Sequence, residues 1–128
     1  MPSTKRKFGD TGEKIAEKYL QEKGYIIIDR NYTKAYGEID LIAKKDNALV
    51  FVEVKTRDMK HVHDFLPEQS VNTLKARKIK RVCQIYLLEK HYSPNQEWQI
   101  DIMAISIDLD TNKAIVKHME NALWERQY

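Results

Sequence analysis

The chain has a single cysteine, Cys83, among its 128 residues. No internal disulfide can form, and a reducing, cytoplasmic setting is the simplest fit. No apolar run approaches the roughly 18 residues needed to cross a bilayer. The basic residues Lys5, Arg6 and Lys7 are followed by no apolar stretch, so the pattern of a secretory signal is missing. Repeats, low-complexity tracts and linkers are also missing. That predicts one domain over residues 1–128, with residues 1–7 as a mobile basic arm. A strong charge of one sign is lacking too, since the formal net charge is only +3. The total says little about partners, but a second basic cluster gathers Lys75, Arg77, Lys78, Lys80 and Arg81.

What remains is an ordinary globular composition, 42% hydrophobic and 32% charged. From Asp10 to Lys23, Ile15, Ala16, Tyr19 and Leu20 recur at helical spacing, and Gly24 ends the helix. Tyr25–Asp29, Gly37–Lys44 and Ala48–Thr56 read as strands. A loop is expected over His61–Pro67, then an amphipathic helix from Glu68 to about Glu89 carrying Val71, Leu74, Val82, Ile85, Tyr86 and Leu88. Ser93-Pro94-Asn95 breaks the chain. Trp98–Ile107 and Ala114–His118 read as strands, and Asn121–Arg126 as a short terminal helix. The order αβββαββ predicts an α/β fold, a sheet covered by helices. Leu49-Val50-Phe51-Val52 is apolar on both faces and should be central.

The stretch from Gly37 to Thr56 carries Glu38, Asp40, Glu53 and Lys55 among residues suited to burial. Buried charges are unfavourable unless paired or bound to metal. Alternation puts Glu53 and Lys55 on one face of their strand. A turn at Asp46-Asn47 sets Ile42 against Phe51, Asp40 against Glu53 and Glu38 against Lys55. A four-residue loop gives the same register, whereas a three-residue loop would put Asp40 and Glu53 on different faces. In the first register their Cβ atoms lie roughly 5 Å apart, and facing like charges destabilise a sheet. A hard divalent cation would relieve that repulsion. The competing reading is an ordinary Glu38–Lys55 ion pair, with Asp40 and Glu53 facing water at a strand end.

G-E-I-D-L-I followed by F-V-E-V-K-T-R resembles the signature of the YraN-like small bacterial proteins. That family belongs to the PD-(D/E)xK nuclease superfamily, of restriction-endonuclease-like fold, with the archaeal Holliday junction resolvases as functional relatives. G-D-T-G-E-K-I-A-E-K-Y-L resembles its first helix, G-Y-I-I-I-D-R-N its first strand and P-E-Q-S-V-N-T-L-K-A-R-K the start of its second helix. I-D-I-M-A-I and E-N-A-L resemble later segments. The loop T-R-D-M-K-H-V-H-D-F-L departs from the family pattern, which bears on substrate access.

The resemblance implies that Asp40 and Glu53 are metal ligands, with the Val54 carbonyl as a third, and that Lys55 is the lysine of the E-x-K. Glu13 would complete the site. The implied chemistry is phosphodiester hydrolysis by Mg²⁺-activated water, Mn²⁺ being the alternative ion, on branched or structured DNA. The alternative is a nucleic-acid-binding module of the same fold with little or no catalysis. An incidental acidic cluster beside a protein-docking sheet edge is a third reading. Because resolvases cut two symmetric strands, a homodimer fits the resemblance; no membrane partner is expected.

Each role has a plainer competitor. Asp10-Thr11-Gly12-Glu13 is a capping-box pattern in which Glu13 would only reach back to the helix start. Lys75, matched to a lysine of the family's second helix, and Lys78 sit in a run that would serve equally as a solvated face or as phosphate contacts. Arg57 follows the E-x-K strand as a phosphate clamp or an exposed strand-end residue. Asp101 is read as structural. His61, His63, His91 and His118 lack the clustering of a zinc site. Trp98, Trp124, Tyr19, Tyr86 and Tyr92 are read as core or interface.

Overall fold

The structure, a computed structural model, describes the backbone of residues 4–61 and 73–122, and side chains within 8–60 and 74–122. The order is α1 (Thr4–Glu22), β1 (Ile26–Lys34), β2 (Gly37–Lys45), β3 (Ala48–Asp58), a 3-10 turn (Met59–His61), α2 (Thr73–Glu89), β4 (Trp98–Asp108) and β5 (Lys113–Met119). The five strands form one mixed sheet in chain order. All neighbours are antiparallel except β3 and β4, which run parallel and so require the crossover that contains α2. The expected αβββαββ order and α/β class are both present.

Leu49, Val50, Phe51 and Val52 are all at most 2% exposed, so β3 is the central strand, buried on both faces. Ala16 and Leu20 of α1 cover one face, over Leu41, Val50, Val52, Met103 and Ile105. Ala76, Ile79, Val82, Cys83 and Tyr86 of α2 cover the other, over Ile42, Leu49, Phe51, Ile100 and Ile102. The Phe51 ring meets Tyr86 and Trp98 edge-on, with centroids 5.6 and 5.7 Å away. Such pairs add stability beyond the area they bury.

Three expectations need correction. Helix α1 begins at Thr4, six residues before Asp10, so Lys5–Lys7 belong to its backbone and not to an arm. Phe8 packs on the α1-side core and anchors the early turns despite Gly9. On α2 the buried stripe is 76, 79, 82, 83 and 86, while Leu74 and Leu88 are 62% and 77% exposed. The stripe follows the helical period from the residues that meet the sheet, and Leu74 and Leu88 fall off it. Asn121 and Ala122 form a turn. Residues 123–126 of the expected terminal helix, most of the 61–67 loop and residues 68–72 of the second helix lie outside the described residues.

Gly12 is where α1 crosses β3. An added Cβ would overlap Thr56 Oγ1 and stand 2.8 Å from Cγ2 and 2.9 Å from Cβ of that β-branched side chain. Helix propensity alone favours Ala over Gly by about 1 kcal/mol. Overpacking of this kind costs about 1–3 kcal/mol. Gly12→Ala is therefore expected to lower the melting temperature by a few degrees. A rise on thermal unfolding would show that α1 lifts off β3 without penalty.

Candidate functional site

The hairpin forms as its turn residues dictate, with Lys45 opposite Ala48 and Ile42 opposite Phe51. The β2–β3 ladder then stops at Leu41 opposite Val52, one step short of Asp40 and Glu53. Ile39 and Ile42 are three apart yet bury in the same α2-side cluster, and Leu41 faces the other. Strict alternation is therefore broken at Asp40. Its carboxylate turns towards β3, and Oδ2 accepts the Val54 N–H at 2.7 Å in place of a backbone rung.

Glu53 faces the α2 side and is largely enclosed, its side chain 12% exposed. Lys55 Nζ lies 3.1 Å and Lys75 Nζ 3.8 Å from Glu53 Oε1. Lys55 thus pairs with its own strand neighbour and not with Glu38, which removes the simple cross-strand ion pair. Burial opposes the charge on Lys55, but its hydrogen bond with Lys75 and the Glu53 carboxylate outweigh it and raise its pKa. Lys75 is pulled down by burial first, then by that hydrogen bond and the charge of Lys55. Asp40, Glu53, Lys75 and Lys78 line one cleft of about 280 Å³ with Tyr36 on its wall.

Glu13 reaches the same neighbourhood from α1. With the helix starting at Thr4, Asp10 is in mid-helix and caps nothing, so the capping-box reading of Glu13 fails. The Asn31 amide, oriented to satisfy its neighbours, donates to Glu13 Oε1 at 3.0 Å and Glu38 Oε1 at 3.1 Å. Asn31 sits at a positive φ of 50° inside β1, a conformation asparagine tolerates better than most residues. Sequence reading missed Asn31, because the strand was read as ending at Asp29 whereas β1 runs on to Lys34.

Asp40 and Glu13 both feel the neighbouring acids. Burial pushes the Asp40 carboxyl up, Glu53, Glu13 and Glu38 add to it, the Val54 hydrogen bond opposes it, and the result is about 8. Glu13 is also raised, by burial first and then by Glu38, Asp10 and Glu53. Such mutual repulsion marks functional sites more often than structural ones. Arg57 shares the Glu53–Lys55 face of β3, but its Nε donates to Ser106 Oγ at 3.0 Å. The exposed strand-end alternative for Arg57 therefore gives way to a partly buried, tethered side chain.

In a second cluster Asp101 has the structural role read for it, holding β5 and a backbone group, but its grouping with His118 and Glu120 was not foreseen. Asp101, fully buried, accepts from Gln99 Nε2 at 2.8 Å, Asn121 N at 2.8 Å and His118 Nε2 at 2.7 Å. The exposed Glu120 accepts the Tyr25 hydroxyl at 3.2 Å. Asp101, His118 and Glu120 present ligand atoms within 4.8 Å of one another, a set that suits a metal ion. Among the described residues no such triad forms around Asp40 and Glu53. Asp101 and His118 lie 17 residues apart, and only the β4–β5 pairing brings them together. His61 and His63 are outside the described side chains. No helix among the described residues is long and apolar enough to cross a membrane.

A family model for uncharacterised protein family UPF0102 matches residues 12–105. The chain belongs to that family. It is the YraN family that the motifs resembled. Relatives named only as UPF0102 proteins include one from Alkaliphilus oremlandii, 41% identical over 91% of this chain and 97% of its own. Another, from Roseiflexus castenholzii, is 31% identical over 98% of this chain and 99% of its own. Among solved structures, Pyrococcus furiosus SfsA in complex with Ca²⁺ is similar with a TM-score of 0.36 and 17% identity, covering 91% of this chain and 63% of that one. The span matched to UPF0102 contains Glu13, Asp40, Glu53, Lys55, Lys75 and Asp101, and ends before His118 and Glu120.

Proposed function

We propose that this UPF0102 protein is a divalent-metal-dependent endonuclease that hydrolyses phosphodiesters of branched or structured DNA. The observation that carries the reading is the shared cleft in which Asp40, turned edgewise onto the Val54 N–H, meets Glu53, Lys75 and Lys78. Carboxylates crowded this way are stabilised by a nearby cation.

Asp40, Glu53 and the Val54 carbonyl would hold Mg²⁺ or Mn²⁺, which favour hard oxygen donors. The donor set fits. Asp40 accepts the Val54 N–H with Oδ2, and its Oδ1 would take the cation. The N–H and C=O of a strand residue point to the same edge, so the Val54 carbonyl faces the β2 side. The β2–β3 ladder has already ended there, and no rung takes that oxygen. When bound, such an ion supplies an activated water and stabilises charge on the phosphate.

The chain's own groups do the rest. Lys55, kept protonated, sets its ammonium beside Glu53 where charge develops on a phosphate oxygen. Glu13, steered by Asn31, adds a carboxylate from α1. Lys75, Lys78 and Arg57 would contact flanking phosphates, which position the strand without reading its sequence. A homodimer would present two such sites for two symmetric strands, and sedimentation on a four-way junction would detect it. A second reading, a DNA-binding module with little catalysis, is favoured by one observation: Glu53 is drawn to Lys55 and Lys75.

A cleavage panel separates the two. Junction, flap, single-stranded and continuous duplex DNA are incubated with Mg²⁺ or Mn²⁺. Wild type should cut the branched substrates only with metal, and Glu53→Gln should be slower by about a hundredfold or more. Salt-dependent binding without cleavage would leave the binding module. Equal cleavage by Glu53→Gln would remove the assigned site.

A further inference from the structure

We infer that Tyr36 is a stacking platform that selects DNA with a nucleotide displaced from the helix beside the scissile phosphate. The inference rests on the nuclease reading and names the feature of the substrate that the site would recognise. Tyr36 lies at the tip of the β1–β2 hairpin and is 49% exposed. It stands on the wall of the cleft that holds Asp40, Glu53, Lys75 and Lys78. The guanidinium of Arg81 lies 4.5 Å from its ring centroid. An aromatic surface, flanking cations and a carboxylate pair thus meet in one cleft.

That combination matches one class of ligand. A nucleobase offers a flat π-face to the ring, and its backbone offers phosphates to Lys75, Lys78 and Arg81. Inside a continuous duplex both faces of each base are already stacked, so none there is free for Tyr36. Flaps, junction arms and single strands supply such bases. A lipid or an apolar peptide would use the ring but gain nothing from the carboxylates of Asp40 and Glu53.

The test is fluorescence anisotropy with Ca²⁺ in place of Mg²⁺, on a labelled duplex carrying a single-stranded flap and on the same duplex without it. Wild type should prefer the flapped DNA. Tyr36→Ala and Tyr36→Leu should each lose about tenfold on it and nothing on the continuous duplex, while Tyr36→Phe retains the preference. Circular dichroism melts confirm that all three fold. If wild type binds flapped DNA and Tyr36→Ala binds it equally well, or loses both DNAs alike, the platform is refuted while the nuclease reading survives. If wild type binds neither DNA, both fail together.

Discussion

In EDTA at pH 8, Asp40→Asn is expected to melt about 10 °C above wild type, an outcome opposite to that of most buried substitutions. The wild-type carboxyl is pushed up to about 8 from an ordinary 3.8, by burial first and by Glu53 next. A group whose pKa is higher folded than unfolded takes up a proton on folding. Its contribution is complete below the unfolded value, and stability is lost as pH rises through the folded one. The penalty therefore grows from about pH 4 to pH 8 and amounts to several kcal/mol in metal-free protein. Asparagine removes the charge and keeps an amide oxygen for the Val54 N–H. The gap between variant and wild type should narrow as pH falls from 8 to 5, as thermal unfolding in a pH series will read. Mg²⁺ should raise the melting temperature of wild type and of His118→Ala, but not of Asp40→Asn. If His118→Ala loses that rise and Asp40→Asn keeps it, the ion sits at Asp101, His118 and Glu120 instead.

Asp101→Ala is expected to lose about 3–5 kcal/mol, the usual penalty for removing one partner of a buried polar network. Three donors depend on this carboxylate: Gln99 Nε2, the Asn121 N–H and His118 Nε2. The network joins β4 to β5 and to the turn after it, and Ala122 N also bonds Ile100 O at 2.8 Å. Tyr19 and Tyr25 pack their rings on His118 with centroids 6.1 and 6.0 Å away, which ties the C-terminal half of α1 to the same point. Asp101→Asn retains an acceptor for two of the donors and should lose less than half as much. Chemical denaturation of the three proteins checks the order. Equal stability of Asp101→Ala and wild type would mean that water replaces the carboxylate at no penalty.

The hairpin shows how far local pattern reaches. Alternating apolar residues on either side of Asp46-Asn47 were enough to pair Ile42 with Phe51 and to make Ala48–Asp58 the central strand, because a one-residue slip would expose a whole buried face. The α1 start was misread because Asp10-Thr11-Gly12-Glu13 imitates a cap, while Phe8, packed on the distant sheet, extends the helix backwards. The stripe on α2 was misplaced for a related reason. Leu74 and Leu88 have the composition of core residues, but only the position of the sheet decides which side of a helix is inside.

By itself the sequence determined the element order, the hairpin register and the grouping of Asp40, Glu53 and Lys55 on neighbouring strands. Those follow from side-chain period and turn chemistry, which act over a few residues. Only the tertiary structure decided that Asp40 turns edgewise onto Val54, that Asn31 gathers Glu13 and Glu38, and that Lys75 shares Glu53 with Lys55. It alone brought Asp101 to His118. Contacts across such sequence distances arise when separate elements pack into one core, and no local periodicity encodes where their polar ends will meet.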